Sequence, residues 1–262
     1  VREGDFESLP ETLRKAAKEA HEVLGATGDP QLSDFVLDRA YYEEMLSSAR
    51  STRSDFLVRY VQATIDAANL RSAVRTLRMK KGGDFLRKVL FEGGTVPVDS
   101  ILSAALGSMA EYFGEDKEYW RAIGYLHDVD YERFPEEHCQ HVAELLAPEG
   151  VGEADIRAIV SHGYGICADV EPLSNLEKSL FAVDELTGIV QATALMRPMG
   201  ISDLEVKSVM KKFKDKRFAA KCDRSVIQTG CERLGMELSQ LMELCITGMK
   251  TEAEALGLGP KQ

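Results

Sequence analysis

An all-α fold is predicted, and three observations predict it. Apolar residues recur at three- and four-residue spacing along most of the chain, no stretch alternates apolar and polar residues for long enough to make a strand, and Gly and Pro fall at helix-length intervals. With 262 residues, 44% of them hydrophobic and 29% charged, the chain has the composition of an ordinary globular protein of one or two domains. Helices are expected over residues 10 to 24, 31 to 49, 53 to 79, 83 to 91, 99 to 113, 117 to 127, 136 to 146, 153 to 162, 175 to 195, 202 to 212 and 224 to 256.

The punctuation justifies the first half of that string. Pro10 and Pro30 stand at helix starts, where a missing amide proton has no partner to lose. Asp29-Pro30, Gly82-Gly83 and Gly93-Gly94 separate the early helices, and the segments 32 to 46 and 56 to 78 between them are amphipathic. In the second half, Arg197-Pro198-Met199-Gly200 divides a long apolar helix from a C-terminal tail. No apolar stretch approaches the roughly 18 residues of a membrane span.

Charge and cysteine content narrow the function classes. A net charge of −11 argues against sequence-independent binding of nucleic acid, since a polyanion meets a repelling surface. A local basic group, Lys207, Lys211, Lys212, Lys214, Lys216 and Arg217, is read as a solvated helix face, with contact to a phosphate substrate as the sharper alternative. The five cysteines, Cys139, Cys167, Cys222, Cys231 and Cys245, show no C-x-x-C spacing and are odd in number, so reduced thiols and a cytoplasmic location are expected.

The candidate chemistry lies in Ala122 to Asp130, A-I-G-Y-L-H-D-V-D, where His127 and Asp128 close an apolar run. An imidazole and a carboxylate at the end of a buried helix need a partner, and a bound metal supplies one. Asp184 sits within the apolar segment L-F-A-V-D-E-L-T-G-I-V, and His162 follows A-I-V-S at another helix end. Nitrogen and oxygen donors of this kind suit a divalent transition metal or magnesium. For each residue alone the competing reading is a capped or paired core side chain. The joint pattern predicts that His127, Asp128 and Asp184 converge.

These segments carry a resemblance. The stretches 124 to 138, 158 to 163, 181 to 188, 214 to 224 and 234 to 238 resemble small HD-domain metal-dependent phosphohydrolases, over roughly residues 105 to 258. The resemblance implies a helical domain and a centre of Mn, Fe, Ni or Mg held by His127, Asp128 and Asp184. It also implies hydrolysis of a small phosphorylated molecule or nucleotide. Asp128 and His162 are then the expected catalytic groups, with the metal lowering the pKa of a bound water and His162 moving protons or holding a second ion. The family's further His falls at Ile101, and no His lies between Glu22 and Leu126.

The front of the chain resembles a different family. Asp38, Arg39, Tyr41, Tyr42, Tyr60, Asp66, Asn69, Arg71, Arg75, Gly93 and Gly94 match the central part of the C subunit of archaeal-type (V-type) rotary ATPases, the helical funnel between the central stalk and the membrane rotor ring. Residues 1 to 98 are accordingly expected to form a segment like that C subunit and residues 99 to 262 an HD-like helical domain, with a seam near 96 to 112. The principal expectation is a metal-dependent phosphohydrolase impaired at Ile101. The alternative is a non-catalytic helical adaptor that contacts rotary ATPase stalk subunits. For Asp66, Asn69, Arg71 and Arg75 a plainer reading stands beside partner contact: side-chain bonds that tie neighbouring helices together.

Overall fold

The computed structural model describes residues 6–9, 11–79, 89–94 and 101–261, the side chains of 76–79 excepted. It is helical, as the periodicity predicts, and among the described residues the β pairing is confined to one isolated bridge between Tyr164 and Ala168. Two compact units are present, Val1–Ser72 with Arg87–Val98, and Ala73–Leu86 with Asp99–Gln262.

The first unit is built from α1 (Glu11–Thr27), α2 (Pro30–Ser51) and the N-terminal part of α3 (Asp55–Met79). Asp29 caps α2 by accepting from the Gln31 amide, with Pro30 in the first turn where its absent N–H is harmless. Leu46, Ala49, Val61, Ile65, Ala68 and Phe91 form the apolar core, with Tyr42, Met45 and Val58 packed against it. Asn69 locks the chain segment carrying Phe91 onto α3. Its Nδ2 donates to the Phe91 carbonyl at 2.8 Å, while its Oδ1 accepts from the Phe91 amide at 2.7 Å. That buried pair of hydrogen bonds satisfies both backbone groups of Phe91. For Asn69 the intramolecular role expected of its helix face is therefore observed.

The second unit centres on α4 (Ile101–Phe113) and α8 (Asn175–Leu195). α4 packs against α5 (Lys117–Leu126), α8 and α11 (Leu238–Thr251), and α8 packs in turn against α9 (Val206–Lys214), α10 (Arg224–Leu234) and α11. α6 (Val142–Leu146) and α7 (Glu153–Val160) are short, and α7 runs into a 3-10 turn, Ser161–Gly163. Nine consecutive residues of α4, Leu102 to Ala110, are buried, which accounts for its small-residue sequence L-S-A-A-L-G-S-M-A. A helix that is buried all round needs short side chains for its neighbours to approach. Ser174 and Glu177 form a reciprocal capping box at the start of α8, fixing where this long central helix begins.

Three sequence expectations need correction. The single helix expected over 224 to 256 is two helices, because Gly235 takes φ +62° and its amide caps the end of α10 through the Cys231 and Glu232 carbonyls. The helix expected over 136 to 146 is a 3-10 turn, Pro135–Glu137, followed by one short helix from Val142. The helix expected over 202 to 212 begins only at Val206. Pro10, the Gly82-Gly83 turn and most of the helix expected over 83 to 91 lie outside the described residues. Among the described residues no helix is long and apolar enough to cross a membrane.

Candidate metal centre

The end of α5 turns its last side chain inward. Asp116 caps the helix start through the Tyr119 amide, and His127 stands at the C-terminal cap with its Nδ1 donating to the Gly124 carbonyl at 2.7 Å. That bond leaves Nε2 to face the cluster, 3.0 Å from Asp128 Oδ2 and 3.8 Å from Asp184 Oδ1. The predicted convergence of His127, Asp128 and Asp184 is thus what the chain does, although Asp128 and Asp184 are 56 residues apart in sequence.

The reason given for that convergence needs revision. The side chains of Asp128 and Asp184 are 51% and 37% exposed, so neither is a carboxylate trapped in an apolar core. The carboxyl that is fully buried is Asp130, at 0% exposure. Its Oδ1 accepts from His138 Nδ1 at 2.8 Å and its Oδ2 from the His141 amide at 3.2 Å. Asp130 therefore fixes the ring of His138, whose Nε2 lies 3.0 Å from His162 Nε2 and 3.3 Å from Asp128 Oδ1. Neither Asp130 nor His138 was assigned a role from sequence. Both stand in the motif H-D-V-D-Y-E-R-F-P-E-E-H, and an acidic residue eight positions before a His across a Pro-containing loop was the available signal.

His162 completes the group. Buried in the 3-10 turn that ends α7, it donates from Nδ1 to the Ile159 carbonyl at 2.6 Å, and its Nε2 is 3.9 Å from Asp128 Oδ1. In all three imidazoles Nδ1 is committed to a carbonyl or carboxyl oxygen and Nε2 is turned toward Asp128. Asp128 is the common member: Oδ2 faces His127, and Oδ1 faces His138 and His162. Asp128, His138 and His162 offer ligand atoms that all lie within 4.8 Å of one another.

The electrostatics follow from this packing. Burial alone opposes a charge on His127, but the hydrogen bond and charge of Asp128, helped by Asp184, outweigh it and raise its pKa to about 9. For Asp128, burial pushes upward and is overcome by the His127 bond and the surrounding imidazoles, so its pKa falls to about 2. Burial lowers the pKa of His162. Two ring nitrogens 3.0 Å apart cannot both present lone pairs, so a proton or a cation must lie between His138 and His162. Histidines oriented through Nδ1 by an oxygen acceptor, with Nε2 free to coordinate, have the outer-shell arrangement of metal ligands. The donor set fits a divalent transition metal by its chemistry.

Two thiols border the cluster. Cys167 Sγ donates to Cys139 Sγ at 3.4 Å, and Cys139 Sγ lies 3.9 Å from His162 Nε2. Burial is the main cause raising the pKa of both thiols, and the nearby Asp130 and Asp128 charges add to it.

The family model of the ATP synthase (C/AC39) subunit matches residues 1–145, more than half of the chain, and this chain belongs to that family. It is similar to the C subunit of the V-type sodium ATPase of Enterococcus hirae, with 26% identity over 104 residues, 40% of this chain and 32% of the relative. It is also similar to the C subunit of the A-type ATP synthase of Thermococcus onnurineus, with 32% identity over 88 residues, 32% of this chain and 24% of the relative. The matched part thus spans about a third and about a quarter of those relatives. No solved structure matches.

These findings overturn the expectation of a phosphohydrolase. The chain's family is that of a rotary ATPase subunit, and the match continues past residue 98 to take in His127, Asp128, Asp130 and His138. Nothing in the matches supports the resemblance to HD-domain enzymes or a nucleotide as partner. The adaptor alternative is the reading they favour.

Proposed function

We propose that this chain is a non-catalytic helical element of the C/AC39 type, which engages stalk or rotor components of a rotary ATPase through its first unit. The observation that carries this reading is the family match over residues 1–145, together with two relatives whose names are those of ATPase C subunits. The surface of the first unit supports it. Phe56 and Tyr60 lie four residues apart on one face of α3 and are 75% and 62% exposed, with Tyr41 exposed on α2. Aromatic side chains presented in this way are the anchors of protein interfaces. The test is co-purification of the tagged chain with the central stalk and membrane rotor ring of a V-type or A-type ATPase. The expected result is a complex that Phe56→Asp with Tyr60→Asp weakens at least tenfold. Failure of the unmodified chain to bind either assembly overturns the reading.

A second reading concerns the other unit, and the His138–His162 contact favours it. We infer that the cluster holds a divalent metal, with His127, Asp128 and Asp184 as one donor set and Asp128, His138 and His162 as an adjoining one. Imidazole-rich donors place manganese, iron and nickel ahead of magnesium. His162 is then a ligand. Titration of the metal-stripped chain with Mn(II) checks this: saturable binding that Asp128→Ala abolishes is expected, and equal binding by Asp128→Ala refutes it.

A further inference from the structure

We propose that Cys139 and Cys167, together with a ring nitrogen of His138, form a sulfur-containing site for a thiophilic divalent cation, of which zinc is the common representative. The site differs in its donors from the oxygen and nitrogen cluster around Asp128, and the two draw on the same imidazole, His138, whose Nδ1 is bonded to Asp130, so they compete for that ring. Its ligand atoms all lie within 4.8 Å of one another.

Three observations carry the proposal. The first is the disposition of the sulfurs. They come from segments 28 residues apart and meet at 3.4 Å beside Gly163, where a Cβ would stand 2.4 Å from Cys167 Sγ and 2.8 Å from Cys139 Sγ. A side chain at 163 would displace one or both sulfurs from where they meet. The second is the backbone of Cys139, which holds φ +69°, a left-handed conformation that costs a side-chain-bearing residue free energy. That conformation belongs to a buried residue whose thiol meets Cys167 and lies near His162. The third is the set of distances. A tetrahedral zinc with Zn–S of about 2.3 Å separates its two sulfurs by about 3.8 Å, so the pair needs to open by only about 0.4 Å. A disulfide at about 2.05 Å would require the sulfurs to close by about 1.4 Å. The geometry is nearer to a shared cation than to a bond.

Charge points the same way. Asp128 and Asp130 surround the pair with negative potential, which disfavours bare thiolates and attracts a dication. Binding converts two thiols into two coordinated thiolates and releases two protons to solvent. The cation then neutralises both sulfurs, with no net charge added at the pair.

The test uses the full chain, reduced and stripped of metal, titrated with Cd(II) as a spectroscopic probe. A thiolate-to-cadmium ultraviolet charge-transfer band saturating at one equivalent is expected. Cys167→Ser, at the more exposed position, should lose at least nine-tenths of that band while keeping the wild-type helical circular dichroism. Added Zn(II) should protect two of the five thiols from labelling, and peptide mapping should identify them as Cys139 and Cys167. Cadmium bound without a thiolate band, an equal band in Cys167→Ser, or protection of other cysteines overturns the proposal. Mn(II) binding separates this inference from the metal reading above. Its loss with an intact cadmium band removes the oxygen and nitrogen centre alone, and its presence in Cys167→Ser without the band supports two distinct donor sets.

Discussion

Asp130→Asn is the most searching single change, because it alters neither the size nor the shape of the buried group. Both oxygens of Asp130 accept hydrogen bonds, one from His138 Nδ1 at 2.8 Å and one from the His141 amide at 3.2 Å. An asparagine has one acceptor oxygen to offer. If that oxygen faces His138, the amide NH2 meets the His141 N–H, and an unsatisfied donor costs about 1–3 kcal/mol of stability. If it faces His141, the NH2 meets His138 Nδ1, which must give up its proton. The proton then moves to Nε2, the atom turned toward Asp128 and His162. A ligand whose outer-shell partner is lost typically binds metal about 10- to 100-fold more weakly, or about 1.4–2.7 kcal/mol. One of these two losses must appear. Urea unfolding of the metal-free variant reads the first and Mn(II) titration the second. A variant with unchanged unfolding midpoint and unchanged metal affinity would refute the argument that Asp130 positions His138.

Three further outcomes are expected. Asn69→Ala strands the buried amide and carbonyl of Phe91, so the first unit should lose about 2–4 kcal/mol, seen as a lower urea midpoint with little change in slope. Arg121→Met strips buried Glu252 of the guanidinium that donates to it at 2.9 Å and should cost about 3–5 kcal/mol, whereas Arg121→Met with Glu252→Leu should recover most of that in a double-mutant cycle. Ser174→Ala removes one half of the α8 capping box and should cost about 1 kcal/mol by thermal unfolding, whereas a full loss of the α8 start would cost far more.

The fold was legible because it rests on local signals. Asp29-Pro30, Asp116 and Ser174 with Glu177 start their helices through contacts within four residues, and a single sequence displays such contacts openly. Gly235 was equally local, yet the apolar spacing on either side of it continues in phase, and a left-handed residue does not interrupt that pattern. The candidate site was half legible. His127 and Asp128 could be read because they close one apolar run, and Asp184 because it interrupts another. His138 and Asp130 belong to a loop, where no periodicity says which side chains turn inward. Their roles depend on a hydrogen bond that spans eight residues and on the position of His162 after a separate helix.

The function was misjudged for a related reason. A helix that ends in His-Asp and a distant Asp on another helix specify a way of holding a cation, and that arrangement can serve reaction or structure alike. What distinguishes these uses is the surrounding chain. Here a family match through residue 145 runs continuously from the first unit across the His127-Asp128 pair. The cluster therefore belongs within a chain of the C/AC39 type. In the proposed arrangement, a metal binding α5, the loop carrying His138, the turn after α7 and α8 would cross-link four separate pieces of the second unit at one carboxylate, Asp128. Such a cross-link acts on stability without any turnover: metal that binds only the folded unit raises its unfolding free energy in proportion to the logarithm of free metal over Kd.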